Sequence, residues 1–219
     1  MARPRTPKGR ARETDERLEL LFPGTARELC ELDHRNPYEL LAATILSAQC
    51  TDIRVNQVTP GLFRAFGDPF ALREADPECV EELIHSTGFY RAKARNLIGM
   101  AAALVDRFEG EVPPRLEDLV TIPGVGRKTG NVIRSVAFDA PGLPVDTHVI
   151  RLSGRLGLST ESDPVRLEHD LNAYIAPMRR GGFSLRMILH GRRTCKARSP
   201  HCLECALADY CPANSVGRS

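Results

Sequence analysis

A glycine turn between two apolar helical segments is the feature that most constrains how this chain can fold. The segment reads LVTIPGVGRKTG, and its turn consists of Pro123, Gly124, Val125 and Gly126. Glycines let the backbone turn sharply and approach another molecule closely. A helix is predicted from Arg127 to about Phe138, and the first amides of a helix lack internal partners. The helix dipole adds positive potential there, so the turn is predicted to bind an anion.

Lys128 lies in the first turn of this predicted helix, where a positive charge is electrostatically unfavourable. A solvated lysine in a helix–turn–helix connection is the ordinary interpretation. Its place directly after the Gly-x-Gly turn also fits an amine that works as a nucleophile. The hairpin alone leaves both interpretations open.

Helical periodicity extends over most of the chain, and no stretch alternates apolar and polar residues between turn signals. We therefore predict an all-α fold. The clearest helix is Arg91 to Phe108, and the helix from Asp52 is predicted to break or kink at Pro60. Residues 1–12 are rich in Arg, Pro and Gly and are predicted to be disordered, with Thr14 capping the first helix.

A chain of 219 residues can form one large domain or two small ones.

The charge is unevenly distributed, although the formal net charge is only +2. Residues 1–12 and 171–203 contain basic residues and no acids, which suits a phosphate-rich partner. The N-terminus has no apolar signal region and no run is long enough to span a membrane, so we expect a cytoplasmic protein.

Four of the seven cysteines are crowded near the C-terminus, at Cys195, Cys202, Cys205 and Cys211. Thiols this close in a cytosolic chain indicate a metal site rather than disulfides. Zinc and a [4Fe-4S] cluster both accept four thiolates, and residue chemistry leaves both open. A bound metal would fix the loop carrying Lys196 and Arg198 for contact with phosphates. The other three, Cys30, Cys50 and Cys79, are predicted to be small core residues.

The lysine-bearing hairpin, an aspartate 18 residues later and this cysteine spacing together resemble the endonuclease III family. That family consists of helix–hairpin–helix DNA glycosylases with a [4Fe-4S] cluster. The resemblance covers about residues 15–212 and includes ILSAQCTD, TGFYRAKA, IPGVGRKTGN, VDTHVIRL and ILHGRRTC. It implies two helical lobes with a DNA groove between them. One is a six-helix barrel of residues 30–140 with the hairpin; the other is an iron–sulfur domain of residues 13–29 and 141–219.

The resemblance implies that Lys128 is the nucleophile and Asp146 the catalytic carboxylate. An amine attacking C1′ of a damaged nucleotide releases the base and leaves a Schiff base, after which β-elimination can break the strand. A carboxylate can stabilise the developing positive charge and assist proton transfer. Asp146 also stands where a helix N-cap belongs, directly before a predicted helix.

Reaching a base inside a duplex requires its extrusion from the stack. The resemblance puts Gln49 at the position that fills the gap and Phe89 at a wedge position where the family often has leucine. Gln49 could instead cap the helix ending at Ala48, and Phe89 could be a core residue. The other implied DNA contacts are Gly124, Val125, Gly126, Arg127, Thr129, Lys196 and Arg198.

Further positions match the family near the pocket, namely Ser47, Asp52 and His148, and local hydrogen bonding explains each equally well. Gly130 replaces the alanine common in the family. A glycine there is expected to weaken the helix by up to about 1 kcal/mol.

The predicted function is that of a bifunctional DNA N-glycosylase and AP lyase of base excision repair. We expect a monomer that acts on double-stranded DNA containing damaged bases or abasic sites and that is located with the nucleoid of a bacterium. The resemblance implies oxidised pyrimidines as substrates. One alternative is an adenine-mismatch glycosylase, but those relatives lack the hairpin lysine. Another is a non-catalytic helix–hairpin–helix DNA-binding protein. An electron-transfer protein is disfavoured by the helical DNA-binding context.

Overall fold

All regular secondary structure in residues 4–214, the part of the chain described by the computed structural model, is helical. The prediction of an all-α fold is confirmed. No helix in this range is both long and apolar enough to cross a membrane. The α helices are α1 Pro7–Leu21, α2 Ala26–Leu29, α3 Pro37–Leu46, α4 Asp52–Ala65, α5 Pro69–Arg73, α6 Pro77–Ile84, α7 Tyr90–Phe108, α8 Leu116–Leu119, α9 Arg127–Ala137, α10 Thr147–Leu156, α11 Pro164–Tyr174 and α12 Arg180–Arg193.

Many of these helices begin with a capping side chain followed directly by proline. The side chains of Asn36, Asp68 and Asp163 each accept a backbone N–H two or three residues later. Such a side chain satisfies an amide that the helix itself cannot, and the proline sets φ for the first turn. Local sequence therefore determines where α3, α5 and α11 start.

The basic N-terminus is folded from Pro7 onward, so the prediction of disorder for residues 1–12 is wrong for its second half; the first three residues lie outside the described range. The Arg10 guanidinium donates two hydrogen bonds to the carbonyl of Gly157, at 3.1 and 2.7 Å. Ala11 is fully buried. Charges that resemble a solvated tail in the sequence instead anchor α1 through tertiary contacts.

Thr14 is buried in the middle of α1 and does not cap it. Its hydroxyl donates to the carbonyl of Arg10 at 2.7 Å and lies 2.8 Å from the Tyr210 hydroxyl. The cap is Thr6, whose side chain accepts the Gly9 amide at 3.1 Å. The helix therefore starts two turns earlier than the apolar pattern alone indicates.

Helix α4 continues through Pro60, and the predicted break does not occur. A proline removes one hydrogen bond from a helix and crowds the preceding turn. Here the apolar face formed by Val55, Leu62 and Phe63 is buried on both sides of the proline. Burial of this face favours a single helix over two shorter ones.

The chain divides into two compact units, Met1–Leu29 with Asp139–Ser219, and Cys30–Phe138. In the second unit α7 packs against α3, α5 and α6, while α9 packs against α3 and α8. In the first unit α12 packs against α1, α2 and α10. Its core includes Leu18, Leu152 and Phe183, all fully buried.

Candidate active site and metal centre

The glycine hairpin between α8 and α9 contains one glycine that the fold itself requires. Gly124 has φ +79°, a conformation that side chains disfavour. A Cβ at this position would lie 2.9 Å from the Cβ of Asn96 on α7. Val125 is buried and its amide donates to the carbonyl of Ile122 at 3.0 Å. The turn is therefore held tightly against α7.

Gly126 differs from Gly124, because nothing in its own unit requires a glycine there. Its φ of −89° suits any residue, and a Cβ would have no neighbour within 4 Å. Gly126 is also the N-cap of α9, and no side chain of residues 4–214 caps this helix. The position of Gly126 at the start of α9 therefore borders open space, and a helix N-terminus is where an anion binds favourably.

Lys128 projects from the first turn of α9 and is exposed, as is Arg127. Thr129 is half-buried, and Asn131 is buried at 1% exposure. The amine of Lys128 is thus accessible, while the helix that carries it is anchored one turn later. This geometry presents a primary amine beside the N-terminus of a helix.

Gly130 has a packing role in addition to its low helix propensity. A Cβ here would lie 2.7 Å from Cδ1 of Leu116. The glycine therefore lets α8 approach α9 closely in this chain. The single sequence contained no signal for this contact, because Leu116 is separated from Gly130 by the whole hairpin.

Asp146 is the N-cap of α10, as its position in the sequence predicts. Its Oδ1 accepts the amides of His148 at 2.8 Å and Val149 at 3.0 Å. Both bonds use the same oxygen, so Oδ2 is not needed by the cap. The half-buried carboxylate can therefore cap the helix and still present an oxygen to a ligand.

Arg151 connects the start of α10 to the first cysteine of the crowded group. One nitrogen of its guanidinium lies 3.1 Å from His148 Nδ1 and donates to the carbonyls of Gly191 at 2.9 Å and Cys195 at 3.0 Å. Burial lowers the pKa of His148, although the nearby Asp146 charge opposes this. His148 therefore belongs to a polar network that the motif alone did not reveal.

Gln49 and Phe89 share an unusual backbone conformation, with φ of +53° and +49°. A non-glycine residue in the left-handed region costs about 1–3 kcal/mol and is concentrated at functional sites. Gln49 is exposed and lies beyond Ser47, the residue that caps α3. Phe89 is 67% exposed, so the core interpretation is wrong. Two strained turns in the same unit present these side chains to the outside.

The four crowded thiols line one cavity of about 150 Å³, together with Leu152 and Leu207. The arrangement around a cavity fits a multi-atom cluster, which spreads its four thiolate ligands over separate iron atoms.

Polar groups surround this cavity and are placed to support anionic ligands. Arg155 donates to Cys195 Sγ at 3.2 Å, and the Leu207 amide donates to Cys205 Sγ at 3.4 Å. His190 Nε2 lies 3.4 Å from the same Cys205 sulfur. Burial raises the pKa of the Cys205 and Cys211 thiols. Iron coordination would offset that effect, because a coordinating thiol is deprotonated.

The other three cysteines do not form a common group. Cys30 and Cys50 are half-buried, and Cys79 is exposed. The prediction that all three are core residues is therefore wrong for Cys79. Cys50 directly follows the strained Gln49.

The basic stretch of residues 171–203 divides into an internal part and an exposed part. Arg179 forms ion pairs with Asp15 and Glu19 of α1. Arg186 is 4% exposed and donates to the carbonyls of Phe22 and Gly24. These two arginines therefore bind α1 and the segment that follows it, and they are not a phosphate surface.

Lys196 and Arg198 lie in the exposed part of that stretch, in the loop after Cys195. Arg155 donates to the carbonyls of Lys196 at 2.8 Å and Ala197 at 2.7 Å. The same arginine also contacts Cys195 Sγ, so one side chain joins the thiol cavity to the loop. This role of Arg155 is not predictable from the sequence, because an arginine on an amphipathic helix carries no signal of what it contacts.

Comparison with known proteins identifies the class. The model of the HhH-GPD superfamily of base excision DNA repair proteins matches residues 42–177, which include the strained turns, the hairpin and Asp146. The model of the iron–sulfur binding domain of endonuclease III matches residues 195–211. The all-helical fold, the glycine hairpin and the cysteine cavity thus define a DNA-binding base excision repair enzyme.

The chain belongs to the endonuclease III family, and it is a DNA glycosylase/lyase with a [4Fe-4S] cluster. It is 52% identical to the endonuclease III of Synechocystis sp. over 197 residues, which cover 90% of this chain and 89% of the relative. A solved structure described as a non-covalent endonuclease III–DNA complex is 42% identical, with a TM-score of 0.88 and coverage of 94% and 96% of the two chains. A trapped endonuclease III–DNA covalent intermediate matches at 43% identity, also with a TM-score of 0.88 and the same coverage.

Proposed function

We propose that Lys128 is the nucleophile of this enzyme and that its substrates are oxidised pyrimidines in double-stranded DNA. The observation that carries the proposal is that Lys128 is exposed in the first turn of α9, two residues after Gly126, where an added Cβ would have no neighbour within 4 Å. A phosphate bound at the amides of α9 would bring the adjacent sugar within reach of the amine. Proximity of this kind accounts for a large part of an enzymatic rate enhancement.

The proposed reaction begins with a neutral amine. Lys128 Nζ bonds to C1′ of the damaged nucleotide while the glycosidic bond breaks, and the base leaves with a proton. Opening of the sugar ring gives a Schiff base between Nζ and C1′. Removal of a C2′ proton then expels the 3′ phosphate, which breaks the strand by β-elimination.

Asp146 is proposed to supply the carboxylate for this chemistry. A carboxylate stabilises the positive charge that develops on the sugar and can take part in proton transfer. The support is that its cap uses Oδ1 alone, at 2.8 and 3.0 Å from two amides. Oδ2 is therefore available for a second role.

The remaining DNA contacts are assigned to two kinds of surface. Gln49 and Phe89 are proposed to enter the stack when the damaged base is extruded, which costs a few kcal/mol. Their exposure on strained turns supports this role. Backbone phosphates are proposed to bind the hairpin and the cysteine loop, through Gly124, Val125, Gly126, Arg127, Thr129, Lys196 and Arg198.

The four thiols of Cys195, Cys202, Cys205 and Cys211 are proposed as the cluster ligands, since they line one cavity. The cluster, when bound, supplies four metal–sulfur links that connect α12 to the C-terminal segment. The protein's own part is to hold the loop between Cys195 and Cys202 in a defined shape, with Arg155 bonded to two of its carbonyls.

A panel of single-lesion duplexes tests the substrate assignment. We expect release of oxidised or ring-saturated pyrimidines, detected by mass spectrometry, and strand cleavage at the same site. Adenine opposite an oxidised guanine serves as the competing substrate. Release of adenine with intact pyrimidine lesions would instead support the adenine-mismatch alternative.

Changing Gly126 to alanine is expected to weaken DNA binding about tenfold, or 1.4 kcal/mol. The added methyl group projects into the open space where a phosphate would approach. Folding should change by no more than about 1 kcal/mol, the usual effect of alanine at an N-cap. Thermal melting and an equilibrium binding titration measure the two effects.

Gly124→Ala is the matched comparison, because its added Cβ meets Asn96 at 2.9 Å and its φ is +79°. We expect this variant to lose much more stability than Gly126→Ala. Equal stability losses at the two positions, with unchanged DNA binding at Gly126, would contradict a phosphate site at the start of α9.

Removing Lys196 and Arg198 together should weaken binding to all DNA sequences alike. Each lost phosphate contact reduces the slope of log K against log salt by about 0.9. We therefore expect a slope smaller by about 1.8 in the double alanine variant. Arg12→Ala is the control, since Arg12 is exposed and paired with Glu16 on α1. A changed lesion preference with an unchanged slope would argue against phosphate binding by the loop.

A further inference from the structure

Lys93 is a buried lysine beneath one of the strained turns. Lys93 is 4% exposed, and its Nζ donates to the carbonyl of Thr87 at 2.9 Å. Lysine is almost never fully buried unless its charge is paired. Among residues 4–214, this carbonyl is the hydrogen-bond acceptor of the ammonium. Retention of such an unfavourable charge points to a task other than stability.

The side chain of Lys93 holds the turn that carries Phe89. Its Nζ binds the carbonyl of Thr87, the residue directly before Gly88 and Phe89. The backbone amide of Lys93 donates to the carbonyl of Phe89 at 3.1 Å, which is the first hydrogen bond of α7. Phe89 itself is left-handed, with φ +49°, and a non-glycine residue keeps this unfavourable conformation only where the surroundings enforce it. The buried ammonium of Lys93 contributes to that enforcement.

We propose that Lys93 is a positioning residue that fixes the turn of Phe89, so that this side chain is held in the conformation that enters the DNA stack. The proposal rests on the proposed insertion role of Phe89. Lys93 acts through the turn and not by contact with the DNA.

The variant Lys93→Met separates positioning from stability. Methionine keeps an apolar stem and removes the buried ammonium, so the melting temperature of the holoprotein should stay the same or rise. A merely structural lysine would instead lower the melting temperature and reduce all activities in parallel. Arg95→Met is the control for charge removal, because Arg95 is exposed on the same helix.

The readout is base extrusion, measured by the fluorescence of 2-aminopurine placed beside a lesion in a duplex. We expect Lys93→Met to reduce this signal and the single-turnover excision rate at least tenfold. Borohydride trapping on single-stranded DNA with an abasic site should fall less than threefold, because no stack must be entered. Equal losses on the duplex and the single strand would overturn the positioning role.

A double-mutant cycle with Phe89→Ala separates the positioning role of Lys93 from the insertion role of Phe89. If Lys93 acts through Phe89, Lys93→Met should have little further effect in the Phe89→Ala background. Additive losses would overturn the role of Lys93 while leaving insertion by Phe89 intact. An unchanged extrusion signal in Phe89→Ala alone would overturn the insertion role itself, and the positioning role with it. Lys93→Gln, whose shorter amide stays polar, replaces Lys93→Met in the cycle if the methionine variant does not fold.

Discussion

The variant Lys128→Ala should form no borohydride-trapped adduct with DNA containing an abasic site, and its turnover should fall about 10⁴-fold or more. The reason is that no other group in the proposed site can form the bond to C1′. Lys128 is exposed, so its removal should leave the melting temperature nearly unchanged. Trapping, single-turnover kinetics and thermal melting measure the three effects.

The chain contains only four lysines, so few other amines could form the adduct. They are Lys8, Lys93, Lys128 and Lys196. Lys93 is buried, whereas Lys8 and Lys196 are exposed and serve as controls. Lys8→Ala and Lys196→Ala should still form the adduct. An adduct that persists in Lys128→Ala would move the nucleophile to another amine. No adduct from the native protein would favour the non-catalytic DNA-binding alternative.

Changing Asp146 to asparagine should nearly preserve stability and lower turnover by about 10²–10⁴-fold. Asparagine caps a helix about as well as aspartate, since its Oδ1 can accept the same two amides. It carries no negative charge and does not act as a base, so only the chemical role is lost. Melting should therefore stay close to that of the native protein while single-turnover excision slows.

Asp163 provides a matched control, because it caps α11 with the same geometry. Its Oδ1 accepts the amides of Val165 at 3.0 Å and Arg166 at 2.9 Å. Asp163→Asn should change neither melting nor turnover. If Asp146→Asn behaves in the same way, Asp146 is a cap and nothing more.

Local structure could be predicted from the sequence to a large extent. Helical periodicity, helix capping and the glycine turn all depend on residues that are close along the chain. Their sequence pattern therefore predicts the helices directly. The same holds for the cap at Asp146, which contacts amides two and three residues away. The four cysteines could be recognised as a metal site because they are crowded within 17 residues.

Other predictions failed where a contact joins distant parts of the chain. From the sequence, Arg10 was expected to be solvated and Arg186 to belong to a phosphate-binding stretch. In the structure, both side chains donate to carbonyls that are far away along the chain. Nothing in the sequence distinguishes Arg155 or Lys93 from other basic residues on helices. Long polar side chains can reach any of many partners, and their choice depends on which helices pack together.

By itself, the sequence determined the all-helical fold, the family, and the residue types of the candidate site, because these depend on spacing along the chain. Only the tertiary structure decided which glycine of the hairpin serves the fold. Gly124 is required by Asn96 of a neighbouring helix, whereas Gly126 faces open space. Only the tertiary structure revealed that Phe89 is exposed and that Lys93 lies beneath its turn. Burial and long-range contacts are properties of packing, and a single sequence does not specify them residue by residue.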